Sequence, residues 1–176
     1  MLLICFDALE PVLDCDSGPK HAGGWPARAR AVLGRARSAD WVVAHVLTRA
    51  GDARSWRAMA GLAPLPAEPV FYREDGPAFS NPAFADLARR YPTAALVLIG
   101  GSRAAACLAT AVCGVEQGRA VMVVADAVAA SADEWRGLGA LAGLGCPPGL
   151  GSLKLPSSRQ LLLGAGDLRL VIGGKG

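Results

Sequence analysis

Residues 94–102 read Ala94-Ala95-Leu96-Val97-Leu98-Ile99-Gly100-Gly101-Ser102, and this stretch decides the fold. Ala94 to Ile99 is apolar without alternation, the pattern of a strand covered on both faces. The paired glycines turn it at once into a small-residue helix, expected over Arg103–Gln117 and closed by Gly118. The same alternation recurs on either side. Upstream lie an apolar strand at Leu2–Phe6 closed by Asp7, an amphipathic helix at Ala27–Arg37, and strands at Trp41–Leu47 and Glu68–Tyr72. Pro82–Arg90 reads as a helix opened by proline, with Asn81 as its cap. Downstream, Ala120–Val124 is a further strand ending in Asp126, and Ala132–Ala142 a helix. Non-alternating strands separated by helices imply a parallel sheet. The expected fold is α/β: a three-layer, Rossmann-like arrangement with helices on both faces of the sheet.

With 176 residues, 52% hydrophobic and 19% charged, the chain suits one domain over 1–176 and excludes general disorder. Residues 143–176 form a divergent C-terminal extension. Gly143–Gly151 reads as a loop, followed by Leu153–Leu155, a short helix near Ser157–Leu163 and an apolar run at Leu168–Ile172. This apolar tail suits a contact in a homo-oligomer. Lys plus Arg is 18 and Asp plus Glu is 15, a net charge of +3 with no basic run, so nucleic acid is not an expected partner. No apolar run approaches the roughly 20 residues needed to cross a bilayer, and no membrane is expected. The first residues lack the form of a signal peptide, and the 5 cysteines form no CxxC pair. Reduced thiols in a cytoplasm are therefore expected.

In such folds ligands gather at the carboxyl ends of the strands. The candidates there are Asp7, His45, Arg73, the turn from Gly100 to Cys107, and Asp126. Each also has an ordinary structural role to weigh. Asp7 can hold a loop, His45 can be a packed core histidine, Arg73 can pair with Glu74 or Asp75 at the surface, and Asp126 can cap a following helix. The turn aims backbone N–H groups and a helix N-terminus at one point, which suits an anion or oxyanion. Gly100, Gly101, Ser102 and Arg103 are therefore candidate ligand contacts, and Phe79 is a further candidate. There is no GxGxxG and no lysine after the glycines, so no dinucleotide or P-loop cofactor is implied.

The order of these signals resembles the isochorismatase-like superfamily, the cysteine hydrolases that include nicotinamidases. The resemblance covers roughly residues 1–145. Glu68-Pro69-Val70-Phe71-Tyr72-Arg73 is similar to the family's strand leading to its catalytic lysine. Pro77-Ala78-Phe79 resembles its small-small-Phe signature, and Leu96–Gly100 its central strand and turn. Thr110-Ala111, Gly118 and Val121–Ala127 resemble the next helix and strand, with no gap from Arg73 to Asp126. The family's site is an Asp that takes the thiol proton, a Lys that stabilises charge and a Cys whose thiolate attacks an amide carbonyl.

Carried onto this chain, the Asp is Asp7, the Lys position holds Arg73, and the nucleophile position holds Ala106, with Cys107 next to it. The glutamine two residues after the family's Asp is Leu9 here. The resemblance thus implies a pseudoenzyme without amidase activity, binding a small molecule or a protein. The alternative is an active family hydrolase of a small amide or vinyl ether, using Asp7 with Cys107 or water. True isochorismatases lack the cysteine and use the Asp as a general acid, though they keep the lysine. The nicotinamidase zinc site needs clustered histidines, and His45 stands alone, so no metal is implied. Trp25, Trp41, Trp56 and Trp135 are candidate interface, lid or core aromatics, and Gly51–Pro66 a candidate lid.

Overall fold

The computed structural model describes residues 1–8, 24–49, 57–74, 76–101, 104–130, 133, 136–137, 139–140 and 151–163. In chain order the elements are β1 (Leu2–Phe6), α1 (Trp25–Ser38), β2 (Val42–Thr48), β3 (Val70–Arg73), a 3-10 turn (Ala78–Ser80), α2 (Pro82–Arg90), β4 (Leu96–Gly100), α3 (Ala104–Glu116), β5 (Ala120–Val128), β6 (Ser152–Lys154) and α4 (Ser158–Leu163). The sheet has 6 strands in the order β3-β2-β1-β4-β5-β6, every neighbouring pair parallel. Asn81 caps α2 as its sequence suggests, accepting from the N–H groups of Ala83 and Phe84. Of the helix expected over 132–142, the described residues Asp133, Arg136, Gly137, Gly139 and Ala140 are helical. The loop at 143–150 and the run Leu168–Ile172 lie outside the described residues, as do Trp56 and Trp135.

Successive strand residues point to opposite faces, so a sheet with non-alternating strands must be covered twice. On one face Leu3, Cys5, Val97, Ile99 and Val124 pack under Trp25, Ala29, Val32, Leu33 and Ala36 of α1, joined by Leu161 of α4. On the other, Leu2, Ile4, Phe6, Leu96, Leu98 and Val123 meet Phe84, Leu87 and Ala88 of α2 and Cys107 and Ala111 of α3. Phe84 anchors this second layer, with edge-on Phe71 and Phe79 rings at 5.6 and 5.2 Å. Trp25 is a core residue, not an interface or lid aromatic. Trp41 packs partly buried against the same face.

Three polar arrangements hold the body together, and the first departs from the sequence reading. Asp126 does not cap a following helix. It lies within β5, which runs on to Val128 because the Ala125 N–H donates to Pro156 O at 2.9 Å and the tail keeps the chain extended. Its carboxylate instead accepts from Ser158 N and Oγ at 2.5 and 2.7 Å, at the start of α4. Arg119, at the foot of β5, donates to the carbonyls of Ala88 (3.1 Å) and Tyr91 and Ala94 (2.5 and 3.2 Å), closing the C-terminal end of α2.

The third arrangement joins α1, β2 and β3. Glu68 accepts from Arg37 Nε and Nη2 at 2.7 and 2.8 Å, from Leu65 N at 2.9 Å, and lies 2.9 Å from His45 Nε2. His45 is thus a packed core histidine with a carboxylate partner, at 2% exposure. Burial alone would push the Glu68 carboxyl up, but the hydrogen bonds from Arg37, Leu65 and His45 outweigh it and hold it down at about 2. Burial also lowers His45 and pushes the neighbouring Cys5 thiol up to about 12.

The described part of the expected lid, 57–66, is fastened to the body. Met59 N donates to Ala8 O at 2.8 Å, Arg30 Nη1 to Ala60 O at 3.0 Å and Arg37 Nη2 to Ala63 O at 2.8 Å. Met59 and Leu62 are buried beneath it.

Candidate functional site

The site is built where β1 and β4 end side by side. Phe6 is in register with Gly100, and Gly101 N donates to Phe6 O at 3.0 Å. Gly100 has φ 136, and a Cβ there would stand 2.1 Å from Phe6 O. Only glycine lets the two strand ends come this close. At Gly101 a Cβ would meet the Trp25 ring at 2.3 Å, so Trp25 presses the turn from the other side. On the same side Gly101 lies against the Asp7 backbone, a Cβ there standing 3.3 Å from Asp7 O. Asp7 itself has φ 33, rare for a residue with a side chain, and its carboxylate is turned inward at 2% exposure.

That carboxylate is held from β2 and β3. Thr48 donates to it twice, from its backbone N–H to Oδ1 and from its hydroxyl to Oδ2 at 2.8 Å. Arg73 Nη2 donates to Asp7 Oδ2 at 3.1 Å and to Thr48 Oγ1 at 2.7 Å. Arg73 is therefore not a surface residue beside Glu74, and Asp75 lies outside the described residues. It is 6% exposed and forms a buried ion pair with Asp7. Its Nη1 donates to Gly76 O at 3.0 Å, whereas its buried Nε has no acceptor. A buried guanidinium donor without an acceptor is costly, so Arg73 is kept here despite incomplete pairing.

The segment after β3 is tied to α3 through Thr110. Ala78 N donates to Thr110 Oγ1 at 2.8 Å, and that hydroxyl donates to Ala106 O at 2.7 Å. Asp7, Arg73 and Ala106 are thus joined by one chain of bonds through Gly76, Ala78 and Thr110. Thr110→Val keeps the shape but strands the buried Ala78 N–H. The expected loss is about 1–3 kcal/mol in denaturant unfolding, and a change below about 0.5 kcal/mol would show that the clamp carries no weight.

Ala106 lies in the first turn of α3, buried, with a methyl group where the resemblance puts a thiol. Cys107 is 1% exposed within the apolar cluster of Phe6, Leu98, Phe84 and Ala111. Phe79 is partly buried, its ring against Phe84. Ser102, Arg103 and Leu9 lie outside the described residues. Among the described residues no group of 3 or more His, Cys, Asp or Glu is arranged to hold a metal, and no helix is long and apolar enough to cross a membrane.

Thr48 and Thr110 were not singled out as site residues from sequence. Thr48 follows β2 residues that pair with β1, Phe6 lying beside Val46, so its place next to Asp7 becomes visible only once that pairing is known.

The isochorismatase domain model matches residues 2–142. No relative was found among curated proteins. Among solved structures, the chain is similar to a putative hydrolase of the isochorismatase family from Chromobacterium violaceum, with 21% identity, a TM-score of 0.74 and 95% of this chain and 94% of that one covered. It is also similar to a putative isochorismatase hydrolase from Oleispira antarctica, with 15% identity, a TM-score of 0.71 and 93% and 96% covered. N-carbamoylsarcosine amidase from Thermoplasma acidophilum shares the fold at 17% identity and a TM-score of 0.68, with 89% and 95% covered.

Proposed function

The chain belongs to the isochorismatase family, and on that premise we propose that it is a member without cysteine-hydrolase chemistry, which binds a small ligand through the inherited site. The methyl group of Ala106 carries this reading. Amide hydrolysis in the family resemblance requires a thiolate there, and alanine offers neither a nucleophile nor a proton to transfer. The neighbouring thiol is no substitute. Cys107 lies on α3 within the apolar core cluster, 1% exposed, where a substrate carbonyl has no approach.

Two further features support the same reading. Both Asp7 oxygens already accept, from Thr48 and from Arg73, so the carboxylate is committed to donors of the fold. Arg73 also presents a planar, fixed fork where a lysine would present a compact ammonium, and it clamps the Asp rather than a developing charge. What remains is a polar cluster of Asp7, Thr48 and Arg73 at the strand ends, suited to holding a small polar ligand. The protein would do this in the cytoplasm as a homo-oligomer, its apolar C-terminal residues supplying a contact. Cys5 and Cys107 are buried among apolar side chains, which suits reduced thiols in a reducing compartment.

The test is hydrolysis of a panel of small amides, ureides and vinyl ethers, with an active cysteine hydrolase as positive control. The folded protein is expected to turn over none of them. Turnover that vanishes in Asp7→Asn would overturn the proposal in favour of a hydrolase using Asp7 with water.

A further inference from the structure

Along the outer edge of β3 runs a cleft of about 810 Å³, lined by the strand itself, Arg49, Glu74 and residues 80–83. We infer that this cleft is a second binding site, for a small planar monocarboxylate, recognised by Arg49 with Tyr72 as its apolar floor.

The size comes first. The volume lies within the range of small-molecule sites, roughly 300–1,000 Å³. An edge strand could instead accept another strand, but here that ladder is interrupted. In β3 the carbonyls of Pro69 and Arg73 accept from His45 N and Arg49 N of β2, so the main-chain groups of Val70 and Tyr72 point outward. The Tyr72 carbonyl is already taken by Asn81 Nδ2 at 2.8 Å. A side-chain amide seated on the edge blocks strand addition. The occupant is therefore a small molecule.

The charge comes next. The Arg49 guanidinium lies 5.9 Å from the centre of the Tyr72 ring and has no carboxylate partner among the described residues. Arg73 also lines the cleft but is buried and already paired with Asp7, so Arg49 is the cation a ligand can reach. An exposed guanidinium stacked on an aromatic ring favours an anion, and Arg favours a two-oxygen planar anion over a point charge. Glu74 on the same wall opposes a second negative charge, which selects a monoanion. The α2 N-terminus contributes nothing, because Asn81 already occupies its N–H groups. Tyr72, 42% exposed, together with Val70, Phe71 and Pro82, offers a flat apolar surface for the body of the ligand.

This inference does not rest on the loss of hydrolysis, since the cleft is the same whether or not Asp7 is catalytic. It is tested by titrating the whole protein with benzoate, benzamide, phthalate and inorganic phosphate, following backbone amide resonances. Benzoate is expected to shift residues 70–74 and 80–83. Benzamide and phthalate are expected to bind about tenfold more weakly, and Arg49→Gln to weaken benzoate by about tenfold. Tyr72→Leu, which keeps the strand and the charge, is expected to weaken it by about fivefold. Both positions are exposed, so both variants should fold as the parent does. The inference is overturned if benzoate moves no cleft resonance or shifts only Asp7 and Gly101. It is equally overturned if phosphate matches benzoate, or if Arg49→Gln binds benzoate as the parent does.

Discussion

Arg73→Met is expected to cost about 3–5 kcal/mol of unfolding free energy at neutral pH, because it takes a guanidinium at 3.1 Å away from a buried carboxylate. Asp7 is 2% exposed and cannot turn to water, while Thr48 supplies dipoles but no charge. Methionine fills much of the space of the arginine stem, so the loss is electrostatic and not a cavity effect. Asp7→Asn alone removes the negative charge and leaves Arg73 with one partner fewer. Combining the two should therefore cost less than the sum of the single changes, with a coupling of about 2 kcal/mol or more. Urea unfolding of the four proteins measures this directly. Additive losses, or an Arg73→Met loss below about 1 kcal/mol, would mean that the pair does not hold the site.

Glu68→Gln is the second large effect, and its signature is in the pH dependence. Glutamine keeps the shape but turns a neutral carbonyl and an N–H₂ group toward Arg37 and His45. A hydrogen bond to a charged group is worth about 1.5–3 kcal/mol, and Glu68 makes two with Arg37, so a loss of about 3 kcal/mol at pH 7 is expected. In the folded parent the Glu68 carboxyl is held down at about 2 from an ordinary 4.5. A depressed carboxyl contributes stability that is complete above 4.5 and lost as pH falls toward 2. The gap between parent and variant should close across that window. His45 adds to the same trend in the parent. Burial lowers it from 6.5, so below that pH the unfolded chain takes up the proton first and stability falls. A gap unchanged between pH 5 and pH 2.5 would overturn the assignment.

The fold was legible because each strand buries both faces, which writes itself as uninterrupted apolar runs such as Leu2–Phe6 and Leu96–Ile99. Asn81 was legible as a cap because capping is local, decided within three residues. Asp126 was misread for the same reason. Its neighbours look like a helix entry, but the tail residues Pro156 and Ser158, some thirty positions on, keep the segment extended and take its carboxylate. Asp7 and Arg73 were legible as candidates from their places at strand ends and again from the resemblance, but their contact was not, since they are far apart in sequence and meet through the strand order. The Arg37–Glu68–His45 cluster had no sequence signal. Its members come from α1, from β2 and from the residues before β3, and a pair of long side chains shows no periodicity.

The strand order also sets how the molecule comes together. β1, the first strand made, is flanked by β2 on one side and by β4 on the other, Leu2 lying beside both Val42 and Leu96. During synthesis β1, β2 and β3 can assemble with α1 early, but the second edge of β1 waits for roughly a hundred residues before its partner leaves the ribosome. Until then a fully apolar strand offers an unpaired ladder, the kind of edge that invites wrong pairing or chaperone capture. Closing that long chain loop brings Gly100 onto Phe6, so the strand ends around Asp7 are assembled only after it has closed. The candidate site is therefore a late product of folding, waiting on a pairing between distant parts of the chain.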